Sequence, residues 1–146
     1  YWKDPERTEA AMKGQYFSAG DMGYRDEEGY YYLVDRKANM IISGGENVFP
    51  SEVENCVGGH PDVKDVAVIG IPHEKWGEQV TAVVVLHEGK KMEPKDVTEW
   101  CKGKIAGFKV PKNVYIIPDE EMPRSGAGKI LHRILRERYG KWGDNQ

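Results

Sequence analysis

Two nearly continuous apolar runs, Val66-Ala67-Val68-Ile69-Gly70-Ile71 and Val80-Thr81-Ala82-Val83-Val84-Val85-Leu86, dominate the middle of the chain. Each has strand length and neither alternates with polar residues, so both are expected to be central strands covered on two faces. Val114-Tyr115-Ile116-Ile117 supplies a third strand. Helical spacing appears between and after them. Val97, Trp100, Cys101 and Ile105 follow Pro94, a residue suited to a first helical turn, and Ile130, Leu131, Ile134 and Leu135 place an apolar stripe on a last helix. Upstream, Ser51-Glu52-Val53-Glu54 reads as a capping box, with Ser51 as N-cap, opening a short helix that stops near Gly58-Gly59.

The first third of the chain reads as hairpins. Tyr16-Phe17 and Tyr30-Tyr31-Tyr32-Leu33-Val34 are strand formers separated by the turn-prone Asp26-Glu27-Glu28-Gly29. A second hairpin follows, in which Met40-Ile41-Ile42 and Asn47-Val48-Phe49 flank Ser43-Gly44-Gly45-Glu46, whose double glycine allows positive φ. The pattern predicts an α+β fold: a small mixed sheet of about three strands flanked by helices, from about residue 38 to the end, preceded by an N-terminal β-hairpin segment. A chain of 146 residues can bury one good core, or one domain plus a fragment of another. The opening Tyr1-Trp2-Lys3-Asp4-Pro5 reads as the interior of a longer polypeptide.

Composition narrows the function classes. Net charge is -3 with 31% charged residues, which makes no general case for nucleic acid. The charge is uneven, however. Between residues 109 and 141, Lys109, Lys112, Arg124, Lys129, Arg133, Arg136, Arg138 and Lys141 outnumber the acids, which suits an anionic small molecule. Cys56 and Cys101 have no CxxC spacing and read as buried small hydrophobes in a reducing compartment. His60, His73, His87 and His132 lack zinc spacing, so no metal site is expected from them. No apolar run reaches the roughly 20 residues of a membrane span, and no signal peptide is visible, so the expected location is cytoplasmic.

One segment concentrates the candidate chemistry. In Met122-Pro123-Arg124-Ser125-Gly126-Ala127-Gly128-Lys129-Ile130-Leu131, a glycine-rich loop leads a lysine into the last helix. Glycines permit close backbone approach, the amides of a helix start attract negative charge, and an ammonium supplies a mobile point charge. A phosphate or carboxylate partner is expected. A Walker A loop is excluded, because it needs glycine where Pro123 stands and Ser or Thr where Ile130 stands. Arg124, Arg133 and Arg136 read as ordinary surface charge.

Five motifs together carry a resemblance. Phe17-Ser18-Ala19-Gly20-Asp21, Asp35-Arg36-Lys37, Ile42-Ser43-Gly44-Gly45-Glu46-Asn47-Val48, Gly107-Phe108-Lys109-Val110-Pro111 and Pro123 to Lys129 fall in the order and spacing of the adenylate-forming superfamily. That superfamily comprises acyl-CoA synthetases, luciferases and peptide-synthetase adenylation domains, and the wording here most resembles bacterial fatty-acyl-CoA or aryl-CoA ligases. The resemblance implies that residues 1–37 are the tail of a large N-terminal domain and 38–146 a mobile C-terminal domain. It implies an enzyme that joins a carboxylic acid, fatty or aromatic, to ATP as an acyl-adenylate, rotates the C-terminal domain, and transfers the acyl group to CoA. Mg2+ would accompany ATP, mostly on the N-terminal domain. That domain is the implied partner, and the fragment alone is not expected to be a competent enzyme.

Residue by residue, the resemblance assigns Lys129 to bridging the substrate carboxylate and the α-phosphate, and Asp21 and Arg36 to the ribose of the nucleotide. Without it, Asp21 would be a turn cap, Arg36 a surface partner for Asp35 or Glu54, and Lys129 a solvated lysine. Gly44 and Gly45 match the loop that lines the pantetheine passage, or else form a plain hairpin turn. Trp76 and Phe108 match aromatic positions that sandwich the CoA adenine in some ligases, with Lys112 near its phosphates; equally, both rings could pack on the core. Lys37 and Ala38 fall at the hinge, where the family usually has Asp or Lys at the position of Ala38. Ala127 replaces the usual Thr or Ser before Gly128-Lys129. Two other readings stay open: a peptide-synthetase-type domain loading a carrier protein, and a non-catalytic interaction module that keeps the fold.

Overall fold

In a computed structural model, residues 1–140 are described, so Lys141 of the basic stretch lies outside the described residues. The chain divides into two units, residues 1–38 and 39–146. In the first, α1 (Pro5–Ala11) is capped by the Asp4 carboxylate, which accepts from the Arg7 amide. The aromatic run finds a different partner from the one expected. Tyr16-Phe17 (β2) pairs with Met12-Lys13 (β1), whereas β4 (Tyr31–Arg36) pairs antiparallel with β3 (Asp21–Arg25) across the Asp26–Gly29 turn. The turn was legible, but β3 was hidden because Asp21, Gly23 and Arg25 carry no strand preference. No residue of this unit is buried, and Tyr31 and Leu33 are about four-fifths exposed. Lys37–Asn39 form a single 3-10 turn.

The second unit is organised around β7 (Val63–His73) and β8 (Gly77–Leu86), which pair antiparallel over nearly their whole length. Strand β9 (Asn113–Ile116) adds to β8 in parallel, and the hairpin of β5 (Ile41–Ser43) and β6 (Glu46–Val48) joins β8 through Ser43 opposite Gly77. Five strands therefore form one mixed sheet, with the three expected strands as its core. β8 is central as expected. β7 pairs only with β8 and so lies at an edge, although both its faces are covered.

Side chains alternate between two cores with the period of two that a strand imposes. Val68, Val80, Ala82, Val84 and Val114 face α2 (Pro50–Gly58) and α3 (Pro94–Cys101), whereas Ala67, Ile69, Ile71, Val83 and Val85 face Leu135 of α4 (His132–Tyr139) and Met122, which precedes that helix. This three-layer arrangement explains the continuous apolar runs. Each fully buried valine contributes about 1.5–3 kcal/mol relative to exposure.

The capping box forms elsewhere. Phe49 is the N-cap of α2 and offers no side-chain cap, because Pro50 starts the helix one residue before Ser51. Glu54 leaves the helix end altogether: its carboxylate accepts from the Val68 amide of β7 and lies 2.8 Å from His132 Nε2. At α3, by contrast, the Asp96 carboxylate accepts from the Glu93 amide.

The two cysteines, distant in sequence, are neighbours in this core. Burial pushes the Cys101 thiol up to about 12, and the adjacent Cys56 adds to the effect. A thiol so shifted stays protonated at neutral pH and is a poor nucleophile. Its folded value exceeds the ordinary 9.0, so it contributes stability that is complete below pH 9 and lost as pH rises toward 12. In the native protein at pH 8, Cys101 should resist iodoacetamide and become reactive only on unfolding, as peptide mass spectrometry would report; rapid native labelling would contradict the burial argument.

Candidate functional site

Lys129 does not begin a helix. Arg124 and Ile130 form an isolated antiparallel bridge, the Ser125 amide donates to the Lys129 carbonyl at 2.8 Å, and the Leu131 amide donates to the Pro123 carbonyl at 2.9 Å. Gly128, at φ +80°, closes the turn, and its amide donates to the Ser125 carbonyl. The Lys129 amide itself donates to Ser125 Oγ. Lys129 therefore sits in a short hairpin, with α4 starting three residues later behind Leu131 as N-cap. The expected supply of free helix amides at Lys129 is absent, because its own main chain is spent on closing the loop. The side chain is exposed, and among the described residues no carboxylate pairs with its ammonium.

What sequence reading missed is the anchor of this hairpin. Arg124, read as surface charge, forms ion pairs with Asp65 of β7 at 2.6 Å and with Asp119 at 2.9 Å, its side chain only 30% exposed. Lys64 also pairs with Asp119. Lys64 and Arg124 together hold the Asp119 carboxyl below the usual carboxylate range. Arg138 of α4 adds a hydrogen bond to the Glu121 carbonyl. At the far side of the hairpin, Glu54 places a carboxylate beside His132, in the first turn of α4, where the positive helix end favours it. The pairing of Arg124 with acids 5 and 59 residues away leaves no local signature, which is why it was invisible. Arg133, in contrast, is the expected surface group, paired with Glu137 on its own helix. Arg136 donates to Asn39 at 3.3 Å.

The second constellation lies at the β7–β8 turn. Gly44 and Gly45 have φ of +62° and +87°, the conformation of a two-residue hairpin turn. The Gly44 amide donates to the Trp76 carbonyl at 2.8 Å, and a Cβ at Gly44 would stand 3.1 Å from Trp76 Cε3. Lys75 and Lys112 hold their ammonium groups 4.8 and 5.1 Å from the Trp76 ring. The half-buried indole, the glycine turn and two cations are thus brought together. Phe108 is exposed and does not pair with the Trp76 ring; the adjacent Lys109 is bound by Glu52 of α2 at 2.7 Å. Trp76 and Phe108 are both outside the two buried cores.

Arg124 meets β7 at Asp65, and His73 ends the same strand eight residues on, roughly 26 Å away at strand rise. The anchors of the two loops therefore lie at opposite ends of one rigid strand. In the first unit, Asp21 and Arg36 face each other across β3 and β4, Arg36 Nε lying 3.4 Å from Asp21 Oδ1. Arg36 thus partners Asp21 rather than Glu54, while its amide donates to Asp35. Among the described residues no group of three His, Cys, Asp or Glu side chains could hold a metal ion. Among them, too, no helix is long and apolar enough to cross a membrane.

The second unit thus presents an exposed loop lysine at one end of β7 and, at the other, a glycine turn beside a cation-flanked tryptophan. Residues 52–129 match the profile of the AMP-binding enzyme C-terminal domain, and the chain belongs to that family. Over 139 residues it is 47% identical to the long-chain-fatty-acid–CoA ligase FadD13 of Mycobacterium tuberculosis, covering 95% of this chain and 27% of the relative. It is 43% identical over 140 residues to a feruloyl-CoA synthase of an Amycolatopsis species, covering 96% of this chain and 28% of that protein. The crystal structure of ATP-bound MatB from Rhodopseudomonas palustris superposes with a TM-score of 0.88 at 39% identity, over 97% of this chain and 28% of that one. The chain thus spans little more than a quarter of the length of these relatives.

Loss of the anchor should loosen the lysine hairpin. In Arg124→Gln, amide exchange at Ser125, Gly128 and Lys129 should accelerate about tenfold or more while β7 and β8 stay protected, because these hydrogen bonds belong to a local unit. Acid should do the same: Asp119, depressed by its cations, stabilises the hairpin above about pH 4 and stops doing so as pH falls through its lower folded value. Unchanged exchange in the variant would contradict the anchoring role.

Proposed function

We propose that this chain is the C-terminal part of an ATP-dependent acid–thiol ligase that converts a fatty or aromatic carboxylic acid to its CoA thioester, with AMP and pyrophosphate as by-products. The observation that carries the reading is the separation of two built loops at opposite ends of β7, one with an ammonium that no carboxylate among the described residues pairs, and one with a glycine turn against an indole. Two chemically distinct half-reactions need two such faces. The names of the relatives, a long-chain-fatty-acid–CoA ligase and a feruloyl-CoA synthase, support the substrate class.

In the first half-reaction a carboxylate oxygen attacks the α-phosphorus of ATP and pyrophosphate leaves. Two anions must approach, and negative charge grows at phosphorus. The Lys129 ammonium offsets both penalties, and the anchored hairpin limits the freedom it loses in doing so. Asp21 accepts from ribose hydroxyls and Arg36 donates to them, their mutual ion pair holding both side chains ready. Mg2+ bound with ATP would neutralise charge on the phosphates and would be held mostly by the remainder of the polypeptide, with residues 1–37 as the tail of that N-terminal domain.

In the second half-reaction the CoA thiol attacks the acyl carbonyl and AMP leaves. Residues 38–146 move as a domain about Lys37 and Ala38, which exchanges one face for the other. The Gly44–Gly45 turn then lines the thiol passage, Trp76 and Phe108 offer aromatic faces to the adenine, and Lys112 a cation to its phosphates.

The half-reactions separate the roles. In the whole enzyme, Lys129→Ala should lower carboxylate-dependent pyrophosphate exchange by about a thousandfold or more, the scale of a lost electrostatic contact in the transition state. Transfer from supplied acyl-adenylate to CoA should stay near wild type. Equal loss in both assays would refute the assignment of Lys129. Gly44→Leu should show the converse, blocking transfer and leaving exchange intact; transfer at the wild-type rate would refute the assignment of the turn.

A further inference from the structure

We infer that Glu78 is a positioning residue for thioester formation, its carboxylate holding the Gly44–Gly45 turn in register with the tryptophan beside it. The inference rests on the reading of that turn given above.

The β5–β6 hairpin closes with Ser43 opposite Glu46, so the amides of Ile42 and Gly44 point away from β6 and toward β8. Their acceptors come from one short segment. The Gly44 amide takes the main-chain carbonyl of Trp76 at 2.8 Å. With Ser43 opposite Gly77, regular pairing would give the Ile42 amide the main-chain carbonyl of residue 78. It takes the Glu78 side chain instead, at 2.7 Å from Oε2. Trp76-Gly77-Glu78 thus grips Gly44, Ser43 and Ile42 in turn, and the carboxylate completes a ladder that the main chain leaves unfinished.

Room for this arrangement is built into β7. A Cβ at Gly70 would stand 2.8 Å from Glu78 Oε1, 3.0 Å from its Cδ and 3.0 Å from Ile41 Cγ2. Gly70 lies within the buried strand and has no positive φ, so it is not required by backbone conformation. Its lack of a side chain leaves the space beside β8 in which the Glu78 carboxylate and Ile41 of β5 lie. Among the described residues no Lys or Arg forms an ion pair with Glu78, so the amide, not a cation, is its partner. A charge-assisted bond of this kind is stronger and more directional than a neutral one.

The consequence falls on Gly44. β5 pairs with β8 at a single register position, so without the carboxylate the main-chain hold on the turn would come from that position and its Gly44–Trp76 bond, with Ile41 and Val48 still packed in the core. The Gly44 Cα would then be free to shift against the indole. A misplacement of about 1 Å near a reacting group can cost on the order of a hundredfold in rate. Adenylation uses the other end of β7, so it should not feel the loss.

The test uses the whole enzyme and its two half-reactions, with thermal unfolding measured in parallel. Glu78→Ala should lower kcat for acyl transfer from supplied acyl-adenylate to CoA about tenfold or more, with pyrophosphate exchange within about twofold of wild type. Glu78→Gln should recover most of the transfer rate, since its amide oxygen still accepts from Ile42. Gly70→Ala, which crowds an intact Glu78, should reproduce the selective defect. Wild-type transfer in Glu78→Ala, equal loss in both half-reactions, or full transfer in Gly70→Ala would each overturn the inference. Gly44→Leu separates this failure from failure of the underlying reading. If it leaves transfer intact, the turn itself has no role. If it blocks transfer while Glu78→Ala does not, only the role of Glu78 falls.

Discussion

Pairing of β7 with β8, buried on both faces, is the constraint on which the rest of the second unit depends. Valine and isoleucine stiffen these strands, and alternate side chains belong to two separate cores, so a one-residue slip would exchange the cores and is excluded. That rigidity sets a fixed distance between Asp65 at one end of the strand and the Trp76 turn at the other. Under the proposed function, a domain that offers two faces in alternation needs such a spacer, because soft connections between its loops would let each half-reaction disturb the other.

Edge exposure is the cost of this arrangement, since β7 has a neighbour on one side only. Glu54 covers a stretch of that edge by accepting from the Val68 amide, and it passes the contact on to His132 at the start of α4. One carboxylate therefore serves a strand edge and a helix terminus together. Arg124 does the corresponding job on the opposite flank, joining the lysine hairpin to Asp65 and Asp119. The loop that carries Lys129 is held on both flanks by charge, while Lys129 itself is left unpaired among the described residues.

Much of this was legible in the sequence, and the remainder was hidden for identifiable reasons. Uninterrupted apolar runs announced β7 and β8, and the double glycine announced the β5–β6 turn, because local composition determines both. The polar β3 escaped notice since its pairing with β4 comes from register, not propensity. Ser51 and Glu54 satisfy the capping pattern in sequence, yet the demand of the Val68 amide outweighs a local cap, a tertiary override that spacing cannot reveal. Lys129 was recognised as an anion-binding candidate, but its setting was misread. The pattern of Ile130 and Leu131 with Ile134 and Leu135 is helical, whereas the bridge between Arg124 and Ile130 delays the helix to His132. Arg124 holds its end of that bridge through Asp65 and Asp119, contacts that helical spacing does not reveal.

The two structural carboxylates, Glu54 and Glu78, follow one logic. Each accepts a hydrogen bond from a strand amide that lacks a main-chain partner at that position, Val68 at the edge of β7 and Ile42 where β5 departs from β8. A side chain can bridge a gap that a carbonyl cannot, because it reaches across the sheet without bending the strand that bears it. The strands can then diverge where the loops must open and still leave no amide unanswered. The Gly44 turn beyond Ile42 lies against the indole, and Gly70 leaves the space that the bridging carboxylate occupies. The apolar core fixes where the strands run, and these two acids fix where they are allowed to diverge.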